Sequence, residues 1–188
     1  GPVVTAAAVV PPYTQYRLLK DSKLLKQEER ERAYRWLSRK AWFGWSLVNP
    51  YLIDQLNIYH ATLYAMQRAL SQLLAQMPST PHTVLTDAMP LSYNGAFEQM
   101  YHISSGEQKS ISIAAASIVA KVNRDRIMRK TGTIFPAYHF GSHKGYSTKL
   151  HKTQLTTFGS SFIHRANFLT WLSTQNTNEL PPDDGAEQ

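Results

Sequence analysis

The sequence predicts one α/β domain followed by a short acidic tail. Three observations predict it. Short β-branched or aromatic runs alternate with long helical patterns. One of those helices is built almost entirely of small and apolar residues, the composition that lets a helix lie close on a sheet. No repeat or internal linker interrupts the chain, so residues 1–172 read as one domain and 173–188 as a disordered tail. At 188 residues, with 43% hydrophobic content, the chain is long enough to bury one core.

The elements follow in order. Val3 to Val10 is small and β-branched, is bounded by prolines, and reads as a buried strand. Tyr13 to Lys20 reads as a loop or short strand. Asp21 or Ser22 is placed to cap a charged helix from about Leu24 to Arg39. Ala41 to Val48 is an aromatic-rich strand. Asn49-Pro50 starts the next helix, with Asn as cap and Pro at the first helical position. That helix runs to about Met77, with Ile53, Leu56, Leu63, Leu70 and Leu74 on its apolar side.

Pro78 to Pro81 breaks the pattern. Thr83 to Asp87 is a short strand ending in a carboxylate, and Phe97 to Ile103 is another strand. The small-residue helix covers Ser110 to about Lys130. Ser147 to Phe158 is a helix capped by Ser147 and ended by Gly159, and Phe168 to Leu172 a last helical turn. No run approaches the ~20 apolar residues of a membrane span, so no membrane partner is expected. The absence of cysteine excludes disulfides and thiolate zinc sites and suits a reducing cytoplasm.

Charge narrows the function. The formal net charge is +7, and the tail carries Glu179, Asp183, Asp184 and Glu187 with no Lys or Arg, so without it the body stands at +11. Such a body suits a polyanionic partner, nucleic acid above all, or is simply a soluble basic surface. Neither a phosphate loop of the GxxxxGK type nor a GxSxG nucleophile elbow is present. His139, His143, His151 and His164 cluster in sequence, but without paired cysteines or an HExxH they argue little for zinc.

Several segments, in order, resemble the bacterial ribonuclease HII family: GPVVTAAAVV at the start, Asp21-Ser22-Lys23, LIDQLNIYHATLYAM from Leu52, VLTD ending at Asp87, SISIAAASIVAKVNRDR from Ser110, HKGYSTKLH from His143 and IHRANF from Ile163. The resemblance reaches from Gly1 to about Leu169. It implies a ribonuclease H-like mixed, twisted sheet flanked by helices, with a helical C-terminal part. It also implies an endoribonuclease that hydrolyses RNA in RNA–DNA hybrids, cutting 5′ to ribonucleotides embedded in duplex DNA, with Mn²⁺ or Mg²⁺. The enzyme is expected to act as a monomer in the cytoplasm. The family leaves room for a sliding-clamp contact through the tail, for which no residue here argues.

Two departures from the family's pattern matter. The family's first strand, with adjacent Asp and Glu and a Gly-Arg-Gly turn, stands upstream of its GPVV and has no counterpart in the sequence given. The expectation is therefore an incomplete enzyme, poorly stable, with Val3 to Val10 left without a strand neighbour; the alternative is a hybrid-binding module without catalysis. The family's Lys-Gly-Asp before the Ala-rich helix is here Ser105-Gly106-Glu107, which keeps the acid as Glu.

Hydrolysis of a phosphodiester calls for divalent metals held by carboxylates, since Mg²⁺ and Mn²⁺ favour oxygen ligands. The resemblance makes Asp87 and Glu107 the catalytic, metal-holding acids. On spacing alone, Asp87 reads first as a helix cap or turn carboxylate, and Glu107 as a first-turn acid facing a helix dipole. Asp125 reads as structural, paired with neighbouring Arg or Lys. For nucleic acid, the resemblance assigns Lys23 to the scissile phosphate and Tyr146 to the deoxyribose at the RNA–DNA junction. Lys144, Lys149, Lys152 and Arg165 are further phosphate candidates. Without it, Lys23 is an ordinary exposed lysine and Tyr146 the cover of a helix end.

Overall fold

The computed structural model describes residues 1–94 and 97–170. Two strand pairs are formed among them. β1 (Val3–Val9) pairs antiparallel with β2 (Trp42–Val48), from Val3 opposite Val48 to Val9 opposite Trp42. β3 (Thr83–Asp87) pairs parallel with β4 (Gln99–Ile103). Both pairing senses of the expected mixed sheet are present, as two separate ladders. β1 is not left without a neighbour, because β2 matches it along its whole length.

The period-2 alternation of β1 decides the layering. Ala6 and Ala8 pack into one core with Ala33 and Leu37 of α1 (Gln27–Lys40) and Ala115, Ile118, Val119 and Val122 of α4 (Ile111–Ile134). Ala7 and Val9 face the other way, toward Leu70 and Leu73 of α2 (Pro50–Leu74). Small side chains on both faces of β1 let both long helices approach, so the first strand pair is sandwiched between α2 and α4–α1.

Caps set the helix starts. The Asn49 side chain accepts from Leu52 N at 2.8 Å, with Pro50 in the first turn. α1 begins at Gln27, after a 3-10 turn over Ser22–Leu24 that the Asp21 carboxylate caps. α2 does not keep one apolar stripe. At Asn57 its backbone leaves the helical region (φ 62°, ψ 166°), which shifts the phase of the faces. Leu56 stays on the surface, while Ala61, Ala65 and Ala69 are fully buried. No helix among the described residues is long and apolar enough to cross a membrane.

The C-terminal part is helical, as expected: α5 (Phe140–His143), α6 (Lys149–Phe158) and a 3-10 turn over Ala166–Phe168. The cap of α6 is Thr148, not Ser147. The Thr148 Oγ1 accepts from His151 N, and its own N–H is turned back to Tyr146 O at 2.8 Å, so the helix starts one residue later. Asp54 of α2 clasps this region, accepting from Ala166 N at 2.7 Å and Asn167 N at 3.1 Å. The turn expected over Phe168 to Leu172 is met by the 3-10 turn only at Phe168, and its residues 171 and 172, with the tail from 173, lie outside the described residues.

Candidate active site and nucleic-acid interface

Asp87 closes β3 and Glu107 opens the short helix α3 (Gly106–Lys109), and the fold joins them through backbone. Asp87 Oδ1 accepts from Gly106 N at 2.8 Å, so the carboxylate is held beside the residue preceding Glu107. Glu107 Oε2 accepts from Ser117 Oγ at 3.1 Å and from Ser22 N at 3.3 Å, and the two serine hydroxyls are 2.8 Å apart. One oxygen of each carboxylate is thereby fixed. Asp87 Oδ2 and Glu107 Oε1 accept no hydrogen bond from the described residues.

Ser22 and Ser117 are the residues that sequence reasoning missed. Ser22 had been placed only as a helix cap, and Ser117 is hidden in an Ala-rich run. Through Ser22 the acids are joined to the turn that carries Lys23. That side chain is exposed, and its backbone N–H donates to Asp21 Oδ1 at 2.9 Å. A cleft of about 320 Å³ opens between this turn and the α3–α4 junction, with Asp21, Glu107 and Lys109 on its walls.

Ser117, Lys121 and Arg124 stand at i, i+4 and i+7 on one face of α4, so the helix leads from the acids to Tyr146. Lys121 Nζ donates to the Tyr146 hydroxyl at 3.2 Å and lies 5.0 Å from the ring centroid; the Arg124 guanidinium carbon lies 5.1 Å from it. The ring itself is half exposed. Asp125 is structural, as its neighbours suggested: nearly buried, it pairs with Lys121 at 3.2 Å and Arg30 at 3.6 Å.

Lys144 and Arg165 flank this region with their side chains partly engaged. Lys144 Nζ turns back onto the carbonyls of Gly141 and Ser142. Arg165 Nε donates to Gly1 O at 2.8 Å, and its guanidinium lies over Phe168. Burial, then the neighbouring Arg124, hold the Arg165 pKa below its usual value, with Asp54 opposing; burial lowers that of Lys144 too, with Asp125 opposing.

Three of the four sequence-clustered histidines meet; His139 stays exposed at a left-handed corner (φ 50°). Their hydrogen bonds fix the tautomers. Ser161 N donates to His164 Nδ1 at 2.9 Å, so the proton of His164 is on Nε2, which donates to His151 Nε2 at 3.1 Å. His151 Nδ1 then donates to Tyr146 O at 2.9 Å. Gly145 N donates to His143 Nδ1, and His143 Nε2 donates to Tyr138 O at 2.8 Å. The lone pairs are spent within the chain of rings instead of converging on one point, which speaks against zinc. No group of three or more metal-competent side chains is poised among the described residues.

Burial holds His151 and His164 down from 6.5 to about 4. An unfolded histidine titrates near 6.5. Between about pH 6.5 and 4 the unfolded state therefore binds more protons, and stability falls as pH falls through that window. Urea unfolding should show a loss of roughly 2 kcal/mol between pH 7 and 5, after allowing for partial solvent screening. A flat profile would contradict the neutral histidine chain.

Comparison with known proteins identifies the family and the fold. The family model described as Ribonuclease HII matches residues 1–171. The chain is 42% identical over 169 residues to the ribonuclease HII of Listeria monocytogenes serotype 4b (strain F2365), covering 89% of this chain and 62% of that one. It is 44% identical over 169 residues to the ribonuclease HII of Bacillus anthracis (strain CDC 684 / NRRL 3495), covering 89% and 63%. The chain thus spans somewhat less than two thirds of the length of these curated relatives. In fold it is similar to the ribonuclease H2 of Pyrococcus horikoshii OT3 (TM-score 0.67, 23% identity, 89% of this chain and 86% of that one). It is also similar to the RNase HII solved in a PCNA:RNase HII complex from Archaeoglobus fulgidus (0.68, 21%, 98% and 93%). A third similar structure is Bst-RNase HIII in complex with Mn²⁺ (0.67, 18%, 95% and 66%). By its sequence over residues 1–171, and with a fold to match, this chain belongs to the ribonuclease HII family.

Proposed function

We propose that the domain over residues 1–172 hydrolyses RNA in RNA–DNA hybrids, cutting the phosphodiester 5′ to ribonucleotides embedded in duplex DNA, as a monomer in a reducing cytoplasm. The observation that carries this reading is the face of α4. It links the Glu107 carboxylate, through Ser117, to the Lys121–Tyr146 stack one turn away. One helical turn advances about 6 Å between i and i+4, on the order of one to two nucleotide steps of ~3.4 Å. Acids at one end and an exposed aromatic ring among cations at the other suit a strand that reacts at one phosphate and is read at the adjoining sugar.

The donor set fits a hard divalent ion. Two carboxylates, each with one oxygen held and one open to a ligand, match the way Mg²⁺ is bound through one or two carboxylates with water and phosphate completing the shell. Asp87 and Glu107 would hold Mn²⁺ or Mg²⁺, which when bound supplies Lewis-acid stabilisation of charge on the phosphate oxygens. The chain's residues do the rest. Ser22 and Ser117 keep Glu107 in one orientation, Lys23 offers a cation beside them, and Tyr146 packs on the deoxyribose next to the ribonucleotide.

A second reading, hybrid binding without catalysis, is favoured by one observation: no group of three or more metal-competent side chains is gathered among the described residues, a sparse set for a pair of metal ions. The test is a DNA duplex with one embedded ribonucleotide, incubated with the chain in Mn²⁺ and, as control, in EDTA. Metal-dependent cutting on the 5′ side of the ribonucleotide is the expected result. Tight binding without cutting would replace the first reading by the second, and neither binding nor cutting would remove both.

A further inference from the structure

Around Tyr146 the positive charge is not balanced. Asp125 is already shared by Lys121 and Arg30, and Glu31 by Arg126 and Arg129. Asp54 spends its carboxylate on the amides of Ala166 and Asn167. That leaves Arg124, Lys144 and Arg165, each half-buried, with no carboxylate at ion-pair distance among the described residues. Arg124 is the least satisfied of the three. Its Nε has one long hydrogen bond, to Pro2 O at 3.4 Å, and its Nη1 is buried with no hydrogen-bond partner at all. The charge of a half-buried guanidinium in that state is uncompensated, and an anion meeting the part that is not buried offsets some of that cost.

We propose that Arg124 is a phosphate-holding residue, gripping the phosphodiester next to the sugar that packs on Tyr146, with Lys121 as the positioning residue that sets the ring. The assignment rests on the proposed function and deepens it. Lys121 is fixed at both ends, to Asp125 and to the Tyr146 hydroxyl, so it orients the ring more than it offers a free cation. Arg124 stands one turn further on the same face, 5.1 Å from the ring centroid, and its Nη2, neither bonded to Pro2 nor buried without a partner, is left for a phosphate oxygen. Such a contact is blind to base and to sugar type, so it should serve all-DNA and hybrid duplexes alike.

The test measures affinity, in EDTA so that no strand is cut, for a labelled RNA–DNA hybrid and a labelled all-DNA duplex over a range of salt. Arg124→Gln should weaken binding to both about 10-fold and reduce the steepness of log K against log salt by about 0.9, one phosphate contact. Arg124→Lys, which keeps the charge, should keep the slope. Should the Gln variant fail to fold, the unaltered protein still decides: its Arg124 Nε–H resonance should shift on titration with the all-DNA duplex. Tight wild-type binding with an unchanged slope in Arg124→Gln, or with an unmoved Arg124 resonance, would overturn the phosphate role and leave the proposed function standing. Failure of the wild type to bind either duplex would overturn both.

Discussion

Asp87→Asn is expected to lower metal-dependent cleavage about 1,000-fold, equivalent to the several kcal/mol that metal-borne charge stabilisation supplies. It should also leave the protein folded. The two effects separate because Asp87 Oδ1 does a structural task that an amide oxygen can inherit: it accepts from Gly106 N at 2.8 Å at the start of α3. Asn keeps that acceptor and the side-chain shape. What it loses is the negative charge and a donor oxygen for a divalent ion, since hard cations prefer carboxylate. Cleavage rates measured beside thermal midpoints decide it. A variant that cleaves within a few fold of wild type would remove Asp87 from the catalytic group, and one that unfolds would make it structural.

The second large effect is expected far from the acids. Gly44→Ala should destabilise the fold by about 3 kcal/mol, the upper end of overpacking, which for a domain of this size is a fall of roughly 6–12 °C in Tm. Gly44 sits in β2 on the side facing α2. A methyl group there would lie 2.3 Å from the Ala69 carbonyl oxygen and 2.6 Å from the Leu73 nitrogen. Both are backbone atoms of a helix, so no side-chain rotation can relieve the clash; the helix or the strand must move. A thermal melt or urea titration reads the change, and a midpoint within 2 °C of wild type would show that α2 can shift off the sheet at little cost.

The same position shows what the sequence discloses and what it hides. An isolated Gly in a strand pattern is a sign of close backbone approach, and Ala61, Ala65 and Ala69 at spacing four are the complementary sign on a helix. Read together they would have paired β2 with α2. Leu56 was misplaced because Asn57 interrupts the helix, and a left-handed Asn inside an apolar period leaves no trace in the spacing. Thr148 and Ser147 cap equally well in composition; the hydrogen bond from Thr148 N to Tyr146 O chose between them. Asp87, Glu107 and Tyr146 stood out only through the resemblance, because a lone acid after a strand is most often a turn residue. Ser22 and Ser117 were invisible for a plain reason: their meaning lies in each other, 95 residues apart. Arg124 looked like any arginine on a charged helix end, and only the tally of its neighbours' partners singles it out.

That separation has a kinetic consequence. Several contacts around the acid site and its flanks tie distant parts of the chain: Ser22 to Ser117, Glu31 to Arg126, and Asp54 to Ala166 across 112 residues. Closing a loop of about a hundred residues carries an entropy cost of roughly 4 kcal/mol beyond the constant term, and no local contact offsets it in advance. Asp87, Glu107 and Ser117 lie close enough in sequence to form their own corner early, yet the Glu107 carboxylate acquires its Ser22 restraint only when the turn before α1 meets α4. A chain emerging during synthesis therefore holds the acid corner before it holds the Ser22 tie. Orientation of the Glu107 carboxylate from both sides waits for that closure across 85 residues.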